Sequence, residues 1–351
     1  MMSKRKFGGG FRSAAAAGIS PIGIPFPLMR FWYAYVSLFL ASWATVVFGF
    51  GMLPTVARQW PIALVMILGS LVAGSTPMGG GAVSFPFLVL WLDMPPDSAR
   101  DFGLTIQALG MTSAMIFILC RRVLIQARML VWTTVGAAGG MLLGTAAIAP
   151  HVAGNFVKLI FACMWMSFAI LTLAKNREFC SITGVRPVGN CMAVPLGLIV
   201  GFTGGIIASL IGLGVEMALY TVLVLLYRCD LKIAVPTAVS AMAVTSVIGL
   251  GVHLWVVDIS RDVATKFLAA APLVIFGAPI GTYIVSVVPR IQTLYVVSVL
   301  CVIQFVWTLY RLHRTLTEWT FVALTLTLAS MAFYLMYRRG KTTAPLPMNN
   351  R

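Results

Sequence analysis

The sequence predicts an all-α polytopic membrane protein: two inverted repeats, each a broken helical hairpin plus three transmembrane helices, with one extra helix at each end. Three observations predict it. Of 351 residues, 60% are hydrophobic and only 10% charged, with a mean hydropathy of +0.97, whereas a soluble domain is typically about a quarter charged. The apolar residues gather into runs of about 20, the length a helix rising about 1.5 Å per residue needs to cross a hydrocarbon layer of roughly 30 Å. Two longer runs are interrupted near their middles by glycines. Such a chain is solvated by lipid, which excludes a soluble enzyme, a disordered chain and a compact nucleic-acid binder.

The elements follow in order. Residues 1–30 carry Lys4, Arg5 and Lys6 ahead of a Gly/Ala-rich stretch without a continuous apolar core, and read as a cytoplasmic tail rather than a cleaved signal peptide. Residues 31–53 form an additional transmembrane helix. The first repeat, 61–174, opens with the run 61–92, split at Gly79-Gly80-Gly81, and continues with spans at 101–120, 129–149 and 154–174. A cytoplasmic linker occupies 175–191. The second repeat, 192–310, opens with the run 192–228, broken around Gly212 and Gly214, and continues with spans at 233–256, 263–288 and 291–310. A last span at 318–337 leads into a cytoplasmic tail, 338–351. Each broken run makes two short helical pieces and emerges on the side it entered, whether it is a re-entrant hairpin or two thin crossings.

Charge fixes the orientation. The net charge of +16 in a soluble protein would suggest nucleic acid. With the N-terminus inside, 18 of the 25 basic residues fall on cytoplasmic segments against two acids, Glu178 and Asp230. Basic residues concentrate on the cytoplasmic side of spans, so both termini are expected there, in the cell (inner) membrane, with no nucleic-acid partner. The six cysteines are scattered and the three histidines isolated, so neither a disulfide framework nor a metal site is expected, and no cofactor is called for.

The repeat is legible in small motifs. Gly79 and Gly81 map onto Gly212 and Gly214 at an offset of 133, and Thr112-Ser113 onto Thr245-Ser246 at the same offset, with a compensated two-residue shift between. Each unit holds one hairpin and three full spans, an odd number, so the two point in opposite directions. Paired broken helices in inverted repeats mark secondary transporters, with the site near the midplane where the breaks meet. Freed backbone groups within a bilayer need partners, helix N-termini offer donors at a positive dipole end, and a glycine run lets a ligand approach them. The same glycines also permit close helix packing.

Two stretches resemble the sulfite exporter TauE/SafE family of membrane permeases. The first runs from Gly79-Gly80-Gly81 through Phe85-Pro86 and Pro95-Pro96 to Ala99-Arg100-Asp101-Phe102 and Ile106-Gln107-Ala108-Leu109-Gly110-Met111. The second comprises Gly204-Gly205, Gly212-Leu213-Gly214-Val215-Glu216 and Ala234-Val235-Pro236-Thr237-Ala238-Val239-Ser240. Glu216 departs from the family pattern, in which many relatives have a third glycine. The resemblance implies transport of small anions, often sulfur-containing ones such as sulfite or organosulfonates.

The candidate substrate-binding residues are Gly79, Gly80, Gly81, Gln107, Thr112, Ser113, Gly212, Gly214, Thr237, Ser240, Thr245 and Ser246. The neutral side chains among them can hold an oxyanion together with backbone N–H groups, although a hydroxyl in a helix also bonds the carbonyl one turn back. Glu216, far from any span end, is a proton-coupling candidate, because burial disfavours a bare carboxylate; its alternative is a carboxyl bonded to the freed backbone of its own break. Arg100 reads as paired with Asp97 or Asp101, His253 as a capping or interfacial residue, and Trp32, Tyr33, Trp91, Trp255, Trp319 and Tyr337 as interfacial anchors. The expected function is alternating-access transport of a small anion, with the bilayer and a coupling proton or ion as further partners and no catalytic residues. An intramembrane enzyme or an assembly factor is the alternative.

Overall fold

The computed structural model describes residues 29–77, 79, 87–92, 94–152, 154–181, 190–212, 214–256, 260–311 and 316–342. Gly80, Gly81, most of both expected tails and the middle of the 175–191 linker lie outside them. Thirteen helices are described: α1 (Met29–Gly49), α2 (Leu53–Arg58), α3 (Trp60–Ser75), α4 (Pro96–Cys120), α5 (Ala127–Leu143), α6 (Gly154–Ala174), α7 (Asn176–Ser181), α8 (Asn190–Ile211), α9 (Val215–Thr221), α10 (Leu231–Val256), α11 (Arg261–Val287), α12 (Arg290–Arg311) and α13 (Leu316–Thr342). There is no strand among the described residues. Seven stretches are long and apolar enough to cross a membrane: α1, α4, α5 extended to His151, α8, α10, α11 and α13. The chain is an all-α polytopic membrane protein.

Local chemistry sets several boundaries. Prolines open α2, α3 and α4, where a missing N–H costs nothing, and the Ser260 side chain accepts the Val263 N–H at the start of α11. Each broken run closes on a π turn, Phe87–Trp91 and Val222–Leu226, 135 residues apart. The hydrogen bonds that leave these turns repeat at the same spacing: Met94 N–H to Leu88 and Cys229 N–H to Leu223, both 2.9 Å. The long helices α4 and α10 then start at Pro96 and Leu231. After the breaks the structural register is thus two residues longer than the glycine offset. It sets Gln107 against Met242 and Met111 against Ser246 as equivalents.

The helices that follow the breaks form the centre. Asp101 lies beside His253 and Gln107 beside Ser246, so α4 and α10 run antiparallel. Likewise Thr172 of α6 and Ser298 of α12 share a hydrogen bond at 3.1 Å, and Asn176 reaches Tyr295. The outer pairs are exchanged between units and run parallel: α3 against α11, and α8 against α5. There the backbones touch. A Cβ on Gly74 would stand 1.9 Å from the Ala278 carbonyl oxygen, and one on Gly201 1.9 Å from that of Thr133, so only glycine fits. Equivalent contacts recur at Gly277 with Ser70 Oγ and at Gly144 with Ser209 Oγ.

The added helices lie outside. α1 packs on α4 through Trp32 Nε1, which donates to Ser113 Oγ at 2.9 Å, and Tyr35, whose hydroxyl donates to the Leu109 carbonyl. α13 runs parallel to α6, with Ser167 Oγ donating to Leu326. Two of the expected interfacial anchors therefore serve packing instead: Trp32 wedges between helices against Phe117 and Phe276, and buried Tyr337 donates to Glu178, which also pairs with Arg228. Trp255, in contrast, is exposed.

Candidate functional site

Both breaks lie against α4. Gly79, at φ +65°, ends the first: a Cβ there would meet the Met242 thioether at 3.0 Å and come 3.9 Å from Gln107 Nε2. Only glycine adopts this left-handed conformation without strain. Gln107 sits near the middle of α4, 3% exposed. Its Oε1 accepts from Ser246 Oγ at 3.3 Å, and its Nε2 is buried without a hydrogen-bond partner. A buried amide donor left unpaired costs about 1–3 kcal/mol, a cost that an acceptor brought to it would offset.

The second break has different surroundings. Gly212 at φ +81° and Gly214 at φ +148° carry the chain out of α8 and into α9. A Cβ on Gly212 would stand 3.2 Å from the Arg100 carbonyl oxygen, two helical turns along α4 from Gln107. The Gly214 N–H donates to Glu216 Oε1 at 3.0 Å, so this buried carboxyl closes the start of its own short helix. Arg100 Nη1 donates to the Ser209 carbonyl at 3.3 Å. Its Nε lies 3.2 Å from Asp101 Oδ1, and His253 Nδ1 lies 3.1 Å from that same oxygen.

The sequence-predicted residues therefore divide. Gly79, Gln107 and Ser246 are brought together at the first break, and Gly212, Gly214 and Glu216 at the second. The remaining hydroxyls are engaged elsewhere. Thr112 donates to Ala108, Ser240 to Pro236 and Thr245 to Ala241, each one turn back. Thr237 donates to Ile233 and accepts the Gln126 N–H, which ties the α4–α5 turn to α10. Ser113 donates to the Ile275 carbonyl while accepting from Trp32.

Sequence reasoning missed His253 as a member of this region. It is 2% exposed and faces Asp101 across the α4–α10 contact rather than lying at an interface. The signal was available once α4 and α10 were taken as antiparallel, since the register that joins Gln107 to Ser246 also joins Asp101 to His253.

No curated protein and no solved structure matches the chain. The family described as sulfite exporter TauE/SafE matches residues 62–308, from the first broken run to the end of α12. The two breaks, the central helices and the exchanged outer pairs all fall inside that stretch, and the chain belongs to the sulfite exporter TauE/SafE family of membrane permeases.

Proposed function

We propose that this permease carries a small oxyanion, of the sulfite or sulfonate class, by alternating access at a site formed by the first break. The observation that carries the reading is the unpartnered Gln107 amide, buried beside the left-handed backbone at Gly79 and steadied by Ser246. An anion there gains neutral donors without a full counter-charge, which keeps release fast. The recurring element order and the antiparallel pairing of α4 with α10 and of α6 with α12 support an inverted repeat, in which one unit rocks against the other about the bound anion. Glu216 has two readings: a proton carrier for this cycle, or a brace for the second break; its bond from the Gly214 N–H favours the brace.

Counterflow of labelled sulfite or a sulfonate in reconstituted liposomes tests the reading, because a transporter shows trans-stimulation whereas an assembly factor or an enzyme does not. A hydrogen bond to a charged group contributes about 1.5–3 kcal/mol, so Gln107→Leu is expected to weaken apparent affinity roughly ten- to a hundredfold. Wild-type affinity in that variant overturns the site.

A further inference from the structure

The site at the first break is polar and carries no charge of its own. Gln107, Ser246 and Met242 are all buried, the amide and the hydroxyl 3.3 Å apart and the thioether against Gly79. The sequence keeps formal charge away from them. The first broken run has none between Arg58 and Asp93, a stretch that includes Gly80 and Gly81. α4 has none between Asp101 and Arg121, and α10 none between Lys232 and His253. Gln107 thus stands six residues beyond Asp101, about 9 Å along the helix, and Ser246 seven before His253, about 10 Å.

The helices packed around this pair add no charge at its level. α1 reaches α4 through Tyr35, α11 reaches it through Val274 beside Gly110, and α5 meets Gly249 of α10 through Met141. Their charged residues lie at their starts: Arg30 on α1, Arg261, Asp262 and Lys266 on α11, and Arg128 on α5. α3 and α8 have none. The acid and the imidazole of the core, Glu216 bonded to the Gly214 N–H and His253 beside Asp101, belong to the second break.

A site of this kind discriminates by charge number. Stripping an ion of water costs free energy that rises with the square of its charge, whereas the gain from a fixed set of neutral donors rises only in proportion to it. A monoanion can be held by an amide; a dianion in the same place keeps a charge uncompensated beside the apolar Met242. We propose that the first break admits oxyanions in their singly charged form alone, so that sulfite is carried as hydrogensulfite and its proton travels on the substrate. The inference rests on the anion-transport reading and adds to it the charge state of the cargo and the seat of the coupling proton. Each sulfite then moves with one proton, and one negative charge crosses per anion.

The test is binding of three oxyanions to the full chain in detergent, read as thermal stabilisation. It runs from about pH 6 to about pH 8.5, a range that also covers the titration of an imidazole. Methanesulfonate keeps a single charge throughout, sulfate keeps two, and hydrogensulfite gives up its proton near neutrality. Methanesulfonate is expected to bind with one affinity across the range and sulfate about a hundredfold or more weaker. Sulfite affinity is expected to fall about tenfold per pH unit once the dianion prevails. Sulfate binding within about tenfold of methanesulfonate, or a sulfite affinity that holds as pH rises, overturns the charge selection and leaves the oxyanion site in place. A methanesulfonate affinity that falls with pH alongside that of sulfite puts the proton on the protein and overturns the proposal as well. Wild-type methanesulfonate binding in Gln107→Leu removes the site, and the inference with it. In liposomes, absence of trans-stimulation with sulfite and methanesulfonate alike defeats the anion-transport reading itself.

Discussion

The two breaks share a backbone device and differ in the chemistry set around it. Each is a left-handed glycine at the end of an apolar helix, followed by a π turn and then a long buried helix. Around Gly79 the polar groups are neutral, Gln107 and Ser246; around Gly212 and Gly214 they are Arg100 and Glu216, with Asp101 and His253 behind. In the structural register the counterparts of Gln107 and Asp101 are Met242 and Pro236. The two broken runs therefore share a frame, while the polar groups of the α4–α10 contact concentrate in one half of it.

The largest effect should come from removing charge at the second break. Asp101→Ala takes a carboxylate from beside the buried Arg100 guanidinium, and breaking a buried pair from one side costs up to about 3–5 kcal/mol. Gln107→Leu at the first break deletes an amide whose donor is already unpaired, so stability should hold or rise. Thermal unfolding in detergent measures both, and an equal loss in the two variants would erase the distinction between a charged and a neutral break.

The glycines sharpen the comparison at a smaller scale. At Gly214, φ +148° lies outside the left-handed helical well and a Cβ would stand 2.9 Å from Ile207 Cγ2, so Gly214→Ala should cost about 3 kcal/mol, the upper end for a strained residue. Gly79 sits within that well and would meet only the flexible end of Met242; Gly79→Ala should cost about 1–2 kcal/mol. The reverse order, read as thermal midpoints, would make the first break the more rigid one.

Much of this was legible in the sequence, for reasons the residues explain. Spans follow from hydropathy alone, because every backbone group in a bilayer is satisfied within its own helix. The breaks follow from glycine pairs at one offset. The partners of the hydroxyls did not, since Thr237 and Ser113 have the same composition signal whether they face a ligand or tie one helix to another. His253 was hidden for a related reason: distance from a span end says nothing about which face of α10 meets α4. The two-residue shift after the break was read in the sequence as compensated before Thr112-Ser113; the π turns and the starts of α4 and α10 show that it persists, so Thr112-Ser113 and Thr245-Ser246 are not equivalents.

The smallest expected change is also the one that discriminates best. Glu216 is the deep acid of the second break, and by sequence it is the natural proton carrier. In the structure its Oε1 accepts the Gly214 N–H at 3.0 Å, a bond that the amide oxygen in Glu216→Gln reproduces. If the side chain braces the break, exchanging carboxyl for amide keeps the acceptor, and stability should stay within about 1 kcal/mol of wild type. The pH dependence of anion uptake should likewise match wild type. A flattened profile in Glu216→Gln would place the proton on α9 instead. The second break would then carry the coupling through its own backbone brace, and the charged cluster beside it would be left with the structural task of holding α4, α8 and α10 together.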